Sequence, residues 1–233
     1  MNSKKIAVIG AMDSEISNLR ELLTNSQSVE CAGFSVYTGT ISGHFIVLAK
    51  SGIGKVNAAI NTQFIIDKYN PDIIINTGVA GGLGNNVKIG DIVVGTTLVQ
   101  HDFDVSALGY VRGHMCTGNA PDKPTEYRSD ENLVQKLETI IDKSKFHKGV
   151  IASGDIFVSD MNTKQEINRL FSAIAIEMEG AAIAQTASIN KIPFVIVRTI
   201  SDNADGNPDE FKQFVKEMAE TSALTIHKLL KII

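Results

Sequence analysis

Apolar residues along this chain fall into two rhythms, and their alternation predicts the architecture. Mainly apolar runs of strand length occupy residues 5–10, 73–77, 91–95, 149–153, 173–178 and 194–200, as strands buried on both faces do. Between them, residues 13–23, 55–69, 130–143, 162–171, 180–189 and 209–231 read as helices. In 55–69, for example, Ala59, Ile60, Phe64, Ile65 and Tyr69 are spaced for one buried face,. Asn70-Pro71-Asp72 stops that helix, and residues 34–41 and 44–50 read as a strand pair turned at Ser42-Gly43,. Residues 100–127 carry neither rhythm. Strands alternating with helices predict an α/β protein whose mostly parallel sheet is covered on both faces. No repeat, low-complexity tract or Pro- or Ser-rich linker divides the chain, so residues 1–233 are expected to form one domain.

In such sheets ligands bind where strands end, so the residues just past each predicted strand are the candidates. Residues 49–56 have the outline of a phosphate-binding loop, but Ala49 and Val56 stand where it needs glycine and a hydroxyl residue,. The glycine-rich run 78–84 follows a strand and precedes another, leaving no helix N-terminus for a pyrophosphate,. It is either a tight turn needing positive φ or a close approach of backbone to a flat ligand. Gln100-His101-Asp102-Phe103-Asp104 has metal-ligating residue types but a single histidine and no second cluster. A polar loop or interface segment is expected there, and no metal site.

The acids are more telling. Glu177 and Glu179 lie in an apolar run with no cation beside them, and a buried carboxylate without a partner is costly. Two apart in a predicted strand, they would share a face. Either a strand edge exposes both, or they are held for a partner. A sugar diol is apt, because two adjacent hydroxyls can donate to one carboxylate. Glu15 could be explained by the dipole of the helix it begins, and Asp202 by a capping role. Taken together, carboxylates gathered at strand ends suggest acid–base chemistry on a neutral, hydroxyl-rich substrate. Arg198 could steady one of them through a bidentate pair.

Composition narrows the partners. Hydrophobic residues make up 43% and charged residues 21%, enough for an ordinary core, and the formal net charge is −4,. No basic cluster points to nucleic acid or an anionic membrane surface. No apolar run reaches the roughly 18 residues of a membrane span, and the one near the N-terminus is too short for a signal peptide. Cys31 and Cys116 are isolated, which suggests a reducing compartment and a cytoplasmic location.

Seven runs, in order, carry a resemblance: IGAMDSEI at 9–16, KSGIGKVNAA at 50–59, INTGVAGG at 75–82, GDIVV at 90–94, SGDIFV at 153–158, IEMEGAAIA at 176–184 and RTISDNAD at 198–205. Together they span essentially the whole chain, which resembles the 5'-methylthioadenosine/S-adenosylhomocysteine nucleosidases. The resemblance implies a three-layer purine nucleoside phosphorylase-like fold, with a twisted mixed, mostly parallel sheet between helices. It implies a homodimer in which the neighbour's loop closes the site, and no cofactor. The implied reaction is hydrolysis of the bond between adenine and a 5'-thio-substituted ribose. Asp202 would protonate adenine N7, Ser201 would orient it, and Glu15 would activate the attacking water. Glu179 would bind the ribose hydroxyls, with Met178 packed on the sugar and Arg198 close by. Glu177 joins this set, either touching the sugar or bracing the strand end. Phe157 would stack on adenine, with backbone groups at Val158 reading its edge. Ala80 and Gly81 would lie along base and sugar, and Met12 and Ile53 near the 5' side. Val105, Leu108 and Cys116 would lie on the segment reaching into the neighbour's pocket.

The chain departs from the family's pattern at Val79, often Ser or Ala in relatives, and at Leu108 and Cys116, where relatives carry Phe and Pro. Pro208 stands where many members have a phenylalanine that caps the site. These departures bear on the pocket for the 5' substituent, so hydrolysis of aminodeoxyfutalosine stays open. A phosphorylase of the same fold would need cations for phosphate, and residues 11–15 and 74–76 contain none. A non-catalytic nucleoside-binding protein should have lost Asp202 or Glu15, and both are present.

Overall fold

The computed structural model describes residues 3–31, 33–84, 86–115, 122–205 and 208–233. In chain order they form β1 (Lys5–Gly10), α1 (Asp13–Glu21), β2 (Thr24–Cys31), β3 (Phe34–Ile41), β4 (His44–Lys50), α2 (Lys55–Tyr69), β5 (Ile73–Gly82) and β6 (Ile92–Gln100). A 3-10 turn at Ser106–Leu108 follows, then β7 (Tyr127–Arg128), α3 (Glu131–Ile140), β8 (Phe146–Ser153), α4 (Met161–Phe171), β9 (Ala173–Glu177), α5 (Gly180–Ile189), β10 (Phe194–Asp202) and α6 (Pro208–Leu229). No described helix is long and apolar enough to cross a membrane.

Alternation along each strand explains the layers. In β1, Ile6 and Val8 face one side and Ala7 and Ile9 the other, and all four are fully buried,. The first side packs against α1, α3 and α6 through Ile16, Leu19, Leu137 and Ile226. The second packs against α2 and α5 through Ala58, Ile65, Ala184 and Ala187. A sheet covered on both faces needs apolar residues at successive positions, hence the mainly apolar runs.

The strands form one mixed sheet in the order β10-β6-β8-β9-β5-β1-β4-β3-β2, with β7 added to β6. Its two longest ladders, β5–β10 and β6–β8, are parallel. Because β10 pairs with both β5 and β6, the strands β5, β10, β6, β8 and β9 close into a ring. The antiparallel contact of β5 with β9 is confined to Gly81–Ile176 and Gly82–Ala175. The ends of these two strands therefore meet, which brings Ala80 and Gly81 next to Glu177.

Three departures from expectation have physical causes. The glycine-rich run is not a turn, because β5 continues to Gly82 and is buried throughout. Glycine is required at position 78 for space: a Cβ there would sit 2.1 Å from Arg198 Nη1 and 2.3 Å from Glu15 Oε1. β2 was not expected, since its sequence, TNSQSVEC, is polar. It is an edge strand held by its ladder to β3, and such a strand needs no apolar signature. Finally, β9 stops at Glu177, and Glu179 is already the N-cap of α5. The two glutamates therefore do not share a strand face.

Candidate active site

Where these strands end, a cavity of about 280 Å³ opens. Met12, Glu15, Ile53, Ala80, Gly81, Phe157, Val158, Glu177, Met178, Glu179, Ser201 and Asp202 all line it, as the sequence led one to expect. Arg198 does not reach the cavity surface and lies fully buried behind it. Val105 and Leu108 are not among the lining residues, and Leu108 is 75% exposed. Cys116 lies outside the described residues. Ala11, Val79, Ile156, Ile176 and Phe211 also line the cavity. Phe211, from the first turn of α6, meets Phe157 edge to face with centroids 5.3 Å apart. A phenylalanine thus stands over the site although Pro208 occupies the position where one was sought.

Each carboxylate is held by backbone N–H groups, most of them presented by a strand-to-helix junction. Glu15, near the start of α1, accepts from Ala11 N at 2.7 Å, Met12 N at 3.0 Å and Val79 N at 3.1 Å. Glu179 Oε1 accepts from Gly54 N, just before α2, at 2.9 Å. Asp202 accepts from the Ser201 hydroxyl at 2.9 Å and from Ala204 N at 3.0 Å. Glu177 is the most heavily engaged. Its Oε1 accepts from Ser153 Oγ, and its Oε2 from Arg198, from Glu179 N at 3.1 Å and from Gly180 N at 2.7 Å. The N-terminal end of α5 favours a carboxylate there, and Ser153 Oγ in turn accepts from Ala181 N at 2.7 Å.

Arg198 is the cation that could not be found beside the glutamates in sequence. Its Nη2 bonds Glu177 and, at 2.7 Å, Asn76 Oδ1, and lies 3.6 Å from Glu179 Oε2. Its Nη1 lies 4.0 Å from Glu15 Oε1. The guanidinium is divided among three acids and does not form a bidentate fork with one. Asn76 and Ser153 were not singled out as site residues. Their signal was a polar residue inside or ending an apolar strand.

One cation, Arg198, serves three buried glutamates. Burial raises the pKa of Glu15 above the usual carboxylate range, against the opposing pull of Arg198 and the three N–H groups,. Burial, then the charge of Glu177, raises Glu179. Burial also raises Asp202, outweighing its bonds to Ser201 and Ala204, and the charges of Glu210 and Asp205 add to the effect. Three carboxyl groups with raised proton affinity in one apolar cleft suit proton transfer near neutral pH. The His101-Asp102 segment is a polar junction: Asp102 pairs with Lys55 at 2.6 Å, and His101 is fully buried.

Known proteins share this architecture. The family model described as the phosphorylase superfamily matches residues 5–231. A 5'-methylthioadenosine/S-adenosylhomocysteine nucleosidase from Staphylococcus haemolyticus is 40% identical over 232 residues, 98% of this chain and 100% of that one. The nucleosidase of the same name from Neisseria meningitidis, solved in complex with methylthio-immucillin-A, matches with a TM-score of 0.91 at 42% identity, over 99% of this chain and 100% of that one. A futalosine hydrolase of Helicobacter pylori matches with a TM-score of 0.91 at 32% identity, over 99% and 98%. Both the closed-ring sheet with its acidic strand ends and these near-complete likenesses lead to one conclusion. The chain belongs to the phosphorylase superfamily and, within it, to the 5'-methylthioadenosine/S-adenosylhomocysteine nucleosidases.

Proposed function

We propose that this chain hydrolyses the N-glycosidic bond of 5'-methylthioadenosine and S-adenosylhomocysteine, releasing adenine and the 5'-thio-substituted ribose. One observation carries the choice of water as nucleophile. The cavity lining contains Glu15, Glu177, Glu179 and Asp202 and, among the described residues, no Lys, Arg or His. Phosphate would need a cation facing it, and Arg198 is already shared among buried glutamates.

Cleavage builds positive charge on the sugar and negative charge on the departing base. Asp202, made reluctant to ionise by burial, gives its proton to adenine N7 and so removes the charge of the leaving group. Glu15 accepts a proton from the attacking water. Glu179 has Oε1 fixed by Gly54, which leaves Oε2 for the ribose hydroxyls, and the positive charge that develops on the sugar draws Glu179 and Glu15 toward their ionised forms. Met178 packs on the sugar, while Phe157, with Phe211 across from it, stacks on the base. Val158 reads the edge of the base through its backbone, Ala80 and Gly81 lie along base and sugar, and Met12 and Ile53 approach the 5' side. Ser201 orients Asp202, and Glu177 with Arg198 braces the floor.

The working unit in this reading is one domain over residues 1–233, paired as a homodimer in the cytoplasm. Supporting the pairing, Leu108 is 75% exposed, and on α2 Val56 is 67% exposed and Ile60 53%; Ile60 was expected on that helix's buried face, which is formed instead by Ala58, Asn61, Thr62, Ile65 and Ile66. Val105 and Leu108 would extend into the neighbour's 5' pocket. Sedimentation at dilute concentration should give a dimer, and a fully active monomer would contradict it. The activity is tested by kcat/KM for adenine release from methylthioadenosine, S-adenosylhomocysteine and aminodeoxyfutalosine, with and without phosphate. Phosphate-independent release from the first two is expected. Release from none, only with phosphate, or only from the third would overturn the proposal.

A further inference from the structure

Beside the cavity, a polar ring joins two of its walls. Lys55 opens α2, and its Nζ donates to Asp102 Oδ1 at 2.6 Å and to Gln100 Oε1 at 3.0 Å. Asp102 Oδ2 accepts from Asp155 N at 2.9 Å. The Asp155 carboxylate returns to the start of the circuit, accepting from Lys55 N at 2.7 Å. The ring is thus closed, from Lys55 Nζ through Asp102 and Asp155 to Lys55 N. Lys55 and Asp102 are only 16% exposed, so their attraction is less screened than that of a surface pair. Gln100 is tied onward to Gln185 of α5 at 2.7 Å.

The neighbours of this ring give it consequence. Gly54, directly before Lys55, is the residue whose N–H holds Glu179. Phe157, two residues past Asp155, lines the cavity. None of Lys55, Asp102 and Asp155 lines it themselves. Space at the junction is tight, since a Cβ on Gly54 would come within 3.0 Å of Asp155 Oδ1, and Gly54 has a φ of +95°.

We infer that Lys55 and Asp102 are positioning residues, a clasp that sets the spacing between the acid facing the ribose and the wall facing the base. The role rests on the nucleosidase reading above. A displacement of about 1 Å between such groups costs a reaction up to roughly a hundredfold, although neither side chain touches substrate.

Asp102→Asn retains one acceptor oxygen but loses the charge and the second acceptor, and Lys55→Gln removes the cation while keeping a hydrogen-bonding group. Each variant should lower kcat/KM for methylthioadenosine about ten- to a hundredfold, with most of the loss in KM. Combined with Glu179→Gln, Asp102→Asn should cost less than it does alone, because its effect passes through Glu179. By hydrogen exchange on the free protein, both variants should expose the amides of 53–57 and 155–158 together while leaving α6 unchanged. An unchanged KM, full additivity with Glu179→Gln, or exchange rising at only one of the two segments would overturn the clasp. If Glu179→Gln alone has no effect on activity, the ribose role of Glu179 falls instead, and the exchange measurement still decides the clasp.

Discussion

Glu179 shows at the scale of one residue what the site asks of the fold. It is buried beside Glu177, and its folded pKa lies above its ordinary value because of burial and that neighbouring charge. The folded state therefore binds the proton more tightly than the unfolded chain does. Its contribution to stability declines as pH rises from about 4.3, the ordinary glutamate value, up to the folded pKa, and stays low above it. Glu179→Gln keeps an oxygen for Gly54 N–H and removes the penalty. Its advantage in Tm should be small near pH 5 and grow toward pH 8, at about 2–4 °C per kcal/mol for a chain of this size. Turnover should fall by about a hundredfold or more if Glu179 holds the ribose as proposed. Thermal melts of the two proteins across pH would check this, and an advantage that shrinks with pH would contradict it. The glutamate pair was visible in sequence as an anomaly. Arg198 was a candidate partner from its place in the next strand, but its division among Glu15, Glu177 and Glu179 was not legible, because the four meet only through the ring of strands.

Among the elements, β5 was legible only in its first half. Its glycines left a turn and a close backbone approach both open; they continue a buried strand, and at Gly78 Arg198 and Glu15 occupy the space a side chain would take. Gly78→Ala should therefore cost about 1–3 kcal/mol by overpacking and displace Glu15. Both Tm and kcat should fall, and a variant equal to the parent in both would show that the fit is looser than described. The buried strands and their covering helices were readable because burial on two faces leaves a mainly apolar trace. The edge strand β2 was not, because a strand bound only by its backbone leaves no such trace. Phe211 escaped notice for a different reason. It lies on a helix whose other apolar residues, Phe214, Val215, Met218 and Ala219, form a cluster with Val79, so periodicity alone marks it as core.

For the whole molecule, closure of five strands into a ring is the decisive feature, and it cannot be read from local pattern. It brings the ends of β5, β9 and β10 to one cavity next to the end of β1. Acids separated by up to 187 positions thereby line a single cavity, Glu15 and Asp202 being the extremes. In the proposed reaction this arrangement cleaves a glycosidic bond by giving the leaving base a proton from a buried carboxylic acid. Wild-type turnover should then fall as pH rises through the raised pKa of Asp202, because the ionised form cannot donate. The most direct test is the kcat–pH profile of Asp202→Asn with methylthioadenosine, set beside its affinity for a substrate analogue. The account predicts a loss of about 10²–10⁴ in kcat, disappearance of the alkaline limb and little change in analogue binding. Near-normal turnover with the alkaline limb intact would contradict it.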